Sequence, residues 1–117
     1  MADPARDLAD VEAVFAALDH AARRQILLTI HFWGGAMTAG EIAGRFEHSW
    51  PTTTRHLQVL EDAGLVTHER VGRARRYTIS RERLNVVRTW VDRFGPETAQ
   101  NSNTDAQLAR KPRARSA

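Results

Sequence analysis

Apolar residues recur along this chain at helical spacing, then at strand spacing, then at helical spacing again. Leu8, Val11, Val14, Phe15 and Leu18 stand three and four residues apart, as on one face of an α-helix, with Asp7 as a candidate N-cap. A second helix is predicted after Asp19, another capping residue, with Ile26, Leu27, Ile30 and Trp33 on one side and Gly34-Gly35 at its end. Thr38 and Glu41 have the spacing of a capping box, which opens a short third helix bearing Ile42, Ala43 and Phe46. Ser49 is the predicted cap of a fourth helix, with Pro51 in its first turn, Thr53, Leu57 and Leu60 facing inward, and Gly64 as the stop.

From Leu65 to Ile79 the period falls to two. Gly72-Arg73 fits a two-residue hairpin turn with glycine first, which sets Val66 opposite Ile79, His68 opposite Tyr77, Glu69 opposite Arg76 and Arg70 opposite Arg75. Ser80 then caps a fifth helix with a stripe of Leu84, Val87, Val91 and Phe94, which Gly95-Pro96 ends. The order is helix, helix, helix, helix, strand, strand, helix. This is a mainly α fold with a small β-hairpin, the winged helix-turn-helix arrangement, in which the second helix of the central pair enters the major groove of DNA. Residues 1–95 are read as this domain. Residues 96–117, polar and nearly without large aliphatic side chains, are read as a disordered basic tail.

Composition narrows the function. The chain has 117 residues, enough for one domain with a modest core, and its apolar fraction of 42% is that of an ordinary globular protein. It has no cysteine, so disulfides, thiolate metal sites and cysteine redox chemistry are excluded. Met1 to Asp10 lacks the apolar segment of a signal peptide, and the expected location is cytoplasmic and nucleoid-associated. The net charge of +3 is unevenly spread: residues 1–19 are acidic, whereas Arg70, Arg73, Arg75 and Arg76 stand within seven residues without an acid. Lys111 is the only lysine, so positive charge is almost all guanidinium, the group that pairs with phosphate through two parallel bonds.

Several segments together resemble a known family. Ala16-Ala17-Leu18-Asp19-His20 through Ile26-Leu27, then Thr38 to Ala43, then Thr54-Arg55-His56-Leu57-Gln58-Val59-Leu60-Glu61-Asp62-Ala63-Gly64-Leu65-Val66, then Gly72 to Tyr77, are similar in order and content to ArsR-type (ArsR/SmtB-like) transcriptional regulators. The resemblance runs from about residue 8 to residue 94. It implies a dimeric, operator-binding repressor paired through its first and last helices. Two departures stand out. The third helix reads Glu41-Ile42-Ala43-Gly44-Arg45 where metal-sensing members carry a cysteine pair, and Leu84 to Phe94 lacks the histidine ligands that others place on the last helix. No metal, cofactor or effector is therefore assigned.

In the fourth helix the inward set turns Pro51, Arg55, Gln58 and Asp62 outward. Arg55 is the candidate for guanine O6 and N7, flanked by Trp50, Thr52 and Thr54 at the end of the helix that reaches base edges. Trp50 either packs on a thymine methyl or sugar or staples the helix to the fold. His56 either touches phosphate or packs beside the third helix. Thr38 and Ser49 are caps whose neighbouring amides can also meet phosphate. The pairing of Arg70 with Arg75, with Arg73 at the turn, sets like charges against each other, an unfavourable arrangement in an isolated hairpin that a polyanion relieves. Leu8, Val11, Phe15, Leu84, Val87, Trp90, Val91 and Phe94 are the candidate dimer interface, with a purely intramolecular core as the alternative. His20 and His31 stand eleven positions apart, near one helical face, but lack a third ligand, and capping or packing explains them as well.

Three functions remain open: a homodimeric repressor on an inverted-repeat operator, a regulator gated by a small molecule or metal held at the dimer interface near Trp33, Trp90 and the histidines, and a winged helix that binds only protein. An enzyme is the weakest reading, because no nucleophile–base pair, carboxylate pair, phosphate-cradling glycine loop or metal triad is present.

Overall fold

The structure, a computed structural model, describes residues 4–95. Its elements are α1 (Pro4–Leu18), α2 (Ala21–Trp33), β1 (Ala36–Thr38), α3 (Ala39–Ala43), α4 (Trp50–Asp62), β2 (Val66–Val71), β3 (Ala74–Ile79) and α5 (Arg81–Asp92). All five expected helices form, although α3 ends at Ala43 and leaves Phe46 beyond it, and the hairpin has the expected register: Val66 opposes Ile79, His68 opposes Tyr77, Glu69 opposes Arg76 and Arg70 opposes Arg75. Gly72 has φ +64°, and no residue other than glycine is at positive φ among the described residues, which matches a turn that needs a left-handed conformation only at its first position. The expected tail at 96–117 lies outside the described residues.

The hairpin is not alone. Ala36–Thr38 adds a third strand, giving an antiparallel sheet of order β1-β3-β2 with Met37 opposite Tyr77. Three residues are too few to display alternation, so this strand has no signal of its own in the sequence. Its Met37 is 1% exposed and Tyr77 3%, so the short strand anchors the base of the hairpin to the core.

The helix caps follow local chemistry, with two corrections. Thr38 Oγ1 accepts from the Glu41 amide at 3.2 Å and Glu41 Oε1 accepts from the Thr38 amide at 2.9 Å, the reciprocal box expected there. Ser49 and Ser80 cap α4 and α5 as expected. Asp7, however, lies inside the first turn of α1, which begins at Pro4. Asp19 does not cap α2: its amide is still bonded to the Ala16 carbonyl (3.3 Å), and it is His20, in extended conformation, whose Nδ1 accepts from the Ala22 amide at 3.3 Å.

One core joins the layers. Val14 and Ala17 of α1, Ile26, Leu27 and Ile30 of α2, Met37 of β1, Ile42 of α3, Leu57 and Leu60 of α4, Leu65 just before β2, and Val66 and Tyr77 of the hairpin are all buried in a single cluster. Val14 is therefore core and offers nothing to a surface patch. Trp33 also departs from its expected inward position: it is 48% exposed and its ring lies 4.4 Å from the Arg45 guanidinium carbon, a cation–π contact at the end of α2.

Arg83 of α5 ties three elements. Its Nε donates to the Ala63 carbonyl (2.8 Å) at the end of α4, and its Nη2 donates to Asp10 Oδ1 (3.1 Å) on α1. Gly64, at φ +81°, lies so close that an added Cβ would stand 3.0 Å from the Arg83 Nε, so the glycine serves both the left-handed stop of α4 and the passage of this side chain.

Thr53 is the exception within the core. Its side chain is 2% exposed, and its Oγ1 is the one buried side-chain polar atom without a hydrogen-bond partner among the described residues. Thr53→Val removes that unpaired hydroxyl while keeping the branched shape, and is expected to raise the unfolding free energy by about 1 kcal/mol with an unchanged urea m-value. Equilibrium urea denaturation of the two proteins checks it.

Candidate nucleic-acid interface

The packing of α4 decides which of its residues reach out. Thr53, His56, Leu57 and Leu60 are buried, so the helical period exposes Pro51, Arg55, Gln58 and Asp62 on the opposite face, as the sequence predicts. Gln58 and Asp62 bond to each other, Nε2 donating to Oδ1 at 2.8 Å. Arg55 has no side-chain hydrogen bond or ion pair among the described residues, so all its donors face outward unspent.

A groove of 510 Å³ collects residues from the starts of two helices and from the hairpin. Thr38 and Gly40 come from the start of α3, Trp50 and Thr54 from the first turn of α4, and Arg70, Arg73 and Arg75 from the hairpin. The alternation of the strands explains the last group. Arg70 and Arg75 project on the side of the hairpin that begins with the buried Val66 and Tyr77, so the face that is core at the base of the hairpin becomes the cationic wall of the groove near its tip. Glu69 and Arg76 occupy the other face, and Arg76 stands near enough to Glu41 for its charge to contribute to that carboxyl's lowered pKa, after the larger effect of the capping bonds with Thr38.

The remaining sites sort by exposure. Trp50 is 55% exposed at the mouth of α4 and free to meet a partner. Ser49 and Thr52 satisfy each other, since the Ser49 hydroxyl donates to Thr52 Oγ1 at 3.0 Å and accepts from the Thr52 amide at 3.3 Å. They stand at the N-terminus of α4, whose remaining amides point toward any bound anion.

His56 is corrected. It is 9% exposed, its ring lies 4.7 Å from that of His20 and 6.0 Å from that of His48, and its Nδ1 accepts from Arg23 Nη1 at 3.5 Å. Arginine can only donate, so this ring nitrogen carries no proton. Burial, followed by the charges of His20, Arg23, His48 and Arg55, holds the imidazole below its usual pKa of 6.5. His56 therefore braces α4 against the start of α2, and its burial removes it from the set of exposed contacts. The neighbouring arginine had no sequence signal, because Arg23 lies thirty-three positions away.

The second face is apolar. Leu8, Trp90, Val91 and Phe94 are exposed at 62%, 40%, 53% and 73%, large side chains on α1, on α5 and just past the end of α5. Trp90 bridges the two helices, its ring 5.2 Å from Phe15 and 5.0 Å from Phe94 in edge-on contacts. Val11 and Phe15 are half-buried, and Leu84 and Val87 pack partly against the core, so the stripe is divided between the interior and an uncovered outer half. The two histidines of α2 are also accounted for: His20 caps the helix, and His31 Nδ1 accepts from Arg81 Nη2 at 3.2 Å.

Known proteins share this arrangement. A helix-turn-helix domain family matches residues 18–69. The transcriptional repressor SdpR of Bacillus subtilis is 35% identical over 81 residues, covering 69% of this chain and 88% of SdpR. The chain belongs to the ArsR family of winged helix-turn-helix transcriptional regulators. An ArsR-like regulator from a Rhodococcus species superposes with a TM-score of 0.65 at 31% identity, covering 92% of this chain and 93% of its own. A homodimeric winged helix-turn-helix DNA-binding domain from Mycobacterium bovis gives 0.63 at 27% identity, covering 80% and 91%. This ArsR-family chain shares the winged helix-turn-helix fold of these relatives.

The depressed pKa of His56 makes stability depend on pH. The unfolded chain takes up this proton near pH 6.5 while the folded chain resists it, so the contribution is present above that pH and is lost as pH falls through and below it. His56→Gln is expected to lower stability at neutral pH and to flatten its decline between about pH 7.5 and 5.5, as read from urea midpoints across that range.

Proposed function

We propose that this ArsR-family regulator is a homodimeric repressor that binds an inverted-repeat operator in the cytoplasm, on the nucleoid, and catalyses no reaction. The observation that carries the reading is the convergence of the starts of α3 and α4 and the arginine-tipped hairpin on one open groove. Phosphate along one strand meets Arg70, Arg73 and Arg75, which relieves their mutual repulsion, while the amides at the starts of α3 and α4 and the hydroxyls of Thr38, Ser49, Thr52 and Thr54 fix the register. Arg55 then stands over base edges, with Trp50 packed beside it on a methyl or sugar.

Pairing through α1 and α5 is supported by the uncovered halves of those helices and by the homodimeric relative. A twofold axis there sets two reading helices one turn of DNA apart, about 34–36 Å. Repression is supported by the likeness to SdpR. The chain has no cysteine, so any metal control would need other ligands, and among the described residues no group of three or more histidine or carboxylate side chains is placed to hold an ion.

Three substitutions test this reading. In fluorescence anisotropy on the DNA upstream of its own gene, Arg73→Ala is expected to weaken binding across all sequences and to reduce the slope of log K against log salt by about 1. Arg55→Ala is expected to cost about 1–3 kcal/mol on the preferred site and relax selectivity at one base pair per half-site. A wild-type protein without salt-sensitive, sequence-selective binding refutes the reading. Val91→Arg, which puts a charge on the uncovered stripe of α5, is expected to yield a folded monomer in sedimentation equilibrium with much weaker operator binding.

A further inference from the structure

A second pocket, of 350 Å³, lies away from the groove, where β3 turns into α5 against the outer side of α2. Its volume falls within the roughly 300–1,000 Å³ of small-molecule sites. Leu27, Leu28, Ile79 and Leu84 form an almost wholly apolar floor, and Leu28 remains 55% exposed over it. The rim differs sharply. Among the described residues, Arg24, His31 and Arg81 are its only polar lining residues, and no carboxylate lines the pocket.

The rim is also held in place. Arg24 Nη1 donates to the Leu18 carbonyl at 2.6 Å, and Arg81 Nη2 donates to His31 Nδ1 at 3.2 Å. Each guanidinium keeps further donors, and Arg81 and His31, which come from α5 and α2, are brought together at one edge of the pocket. A neutral apolar ligand would leave these cations without a counter-charge, and an organic cation would meet repulsion. An apolar chain or ring ending in a carboxylate satisfies both halves, burying its tail on the leucines and its oxygens on Arg81 and Arg24.

We propose that this pocket binds a small amphiphilic carboxylate of the medium-chain fatty acid class. The site goes beyond the DNA-binding reading and does not depend on it, because binding is measured on the protein without DNA.

The test uses the full chain with isotope-labelled leucine and isoleucine methyl groups, titrated by NMR with sodium octanoate, with 1-octanol and octylammonium as uncharged and cationic probes of the same tail. Octanoate is expected to shift the Leu28 and Ile79 methyl signals saturably, with octanol binding more weakly and octylammonium weakest. Arg81→Ala is expected to weaken octanoate about tenfold and leave octanol unchanged. Leu28→Glu, at an exposed position that tolerates a charge, is expected to abolish octanoate binding while circular dichroism stays that of the wild type. No saturable shift, or equal affinity for acid and alcohol, overturns the proposal. So does the result that the same methyl signals change on dilution of the protein and not with octanoate, which would make the pocket a contact between two copies.

Discussion

The burial of one face of α4 is the constraint on which the rest of the molecule depends. Leu57 and Leu60 are fully enclosed by residues from α2, α3 and the sheet, and His56 is wedged beside the start of α2. Every exposed group of interest is placed by that packing. Rotation of the helix by one residue, about 100°, would bury Arg55 and turn Leu57 to solvent, at a cost of about 1.5–3 kcal/mol for the leucine alone before the charge is counted. The outward face is thus fixed by what lies on the inward one.

The hairpin obeys the same logic through a different period. Its base is core, with Val66 and Tyr77 against Met37, and its tip is a set of guanidinium groups on that same face. The two ends are in conflict as a free-standing structure, since the tip repels itself and the base must hold it. The third strand resolves this by pairing β1 with the base of β3 and leaving the tip projecting. The cluster of arginines is tolerated because the stability that supports it is supplied elsewhere.

Where the relevant physics is local, the sequence alone discloses the structure. The capping box at Thr38 and Glu41, the glycine-first turn at Gly72 and the strict alternation from Val66 to Ile79 all specify their geometry within a few residues, and the register of the hairpin follows from them. Where the physics is distant, the sequence is silent. Nothing near Ala36–Thr38 signals a strand, because its partner is forty residues away; nothing near His56 signals burial, because Arg23 and His20 come from another helix. Trp33 misleads for the same reason, since its spacing suits the core but Arg45 offers its ring a cation at the surface. Of the candidate contacts, Thr38, Trp50, Thr54, Arg70, Arg73 and Arg75 are gathered by the groove, while the groove itself, and the pocket at the foot of α5, belong to tertiary packing that no window of sequence contains.

The Arg83 side chain carries a mechanical implication. A single guanidinium grips the carbonyl of Ala63, which closes α4, and a carboxylate on α1, so α4 and the helix that carries part of the apolar stripe are tied against free hinging. The proposed dimer, built this way, would behave as a caliper with a locked jaw. It would accept targets whose two halves sit at one fixed separation and phase on the duplex, and an insertion of even half a helical turn between them would leave one jaw closing on empty space.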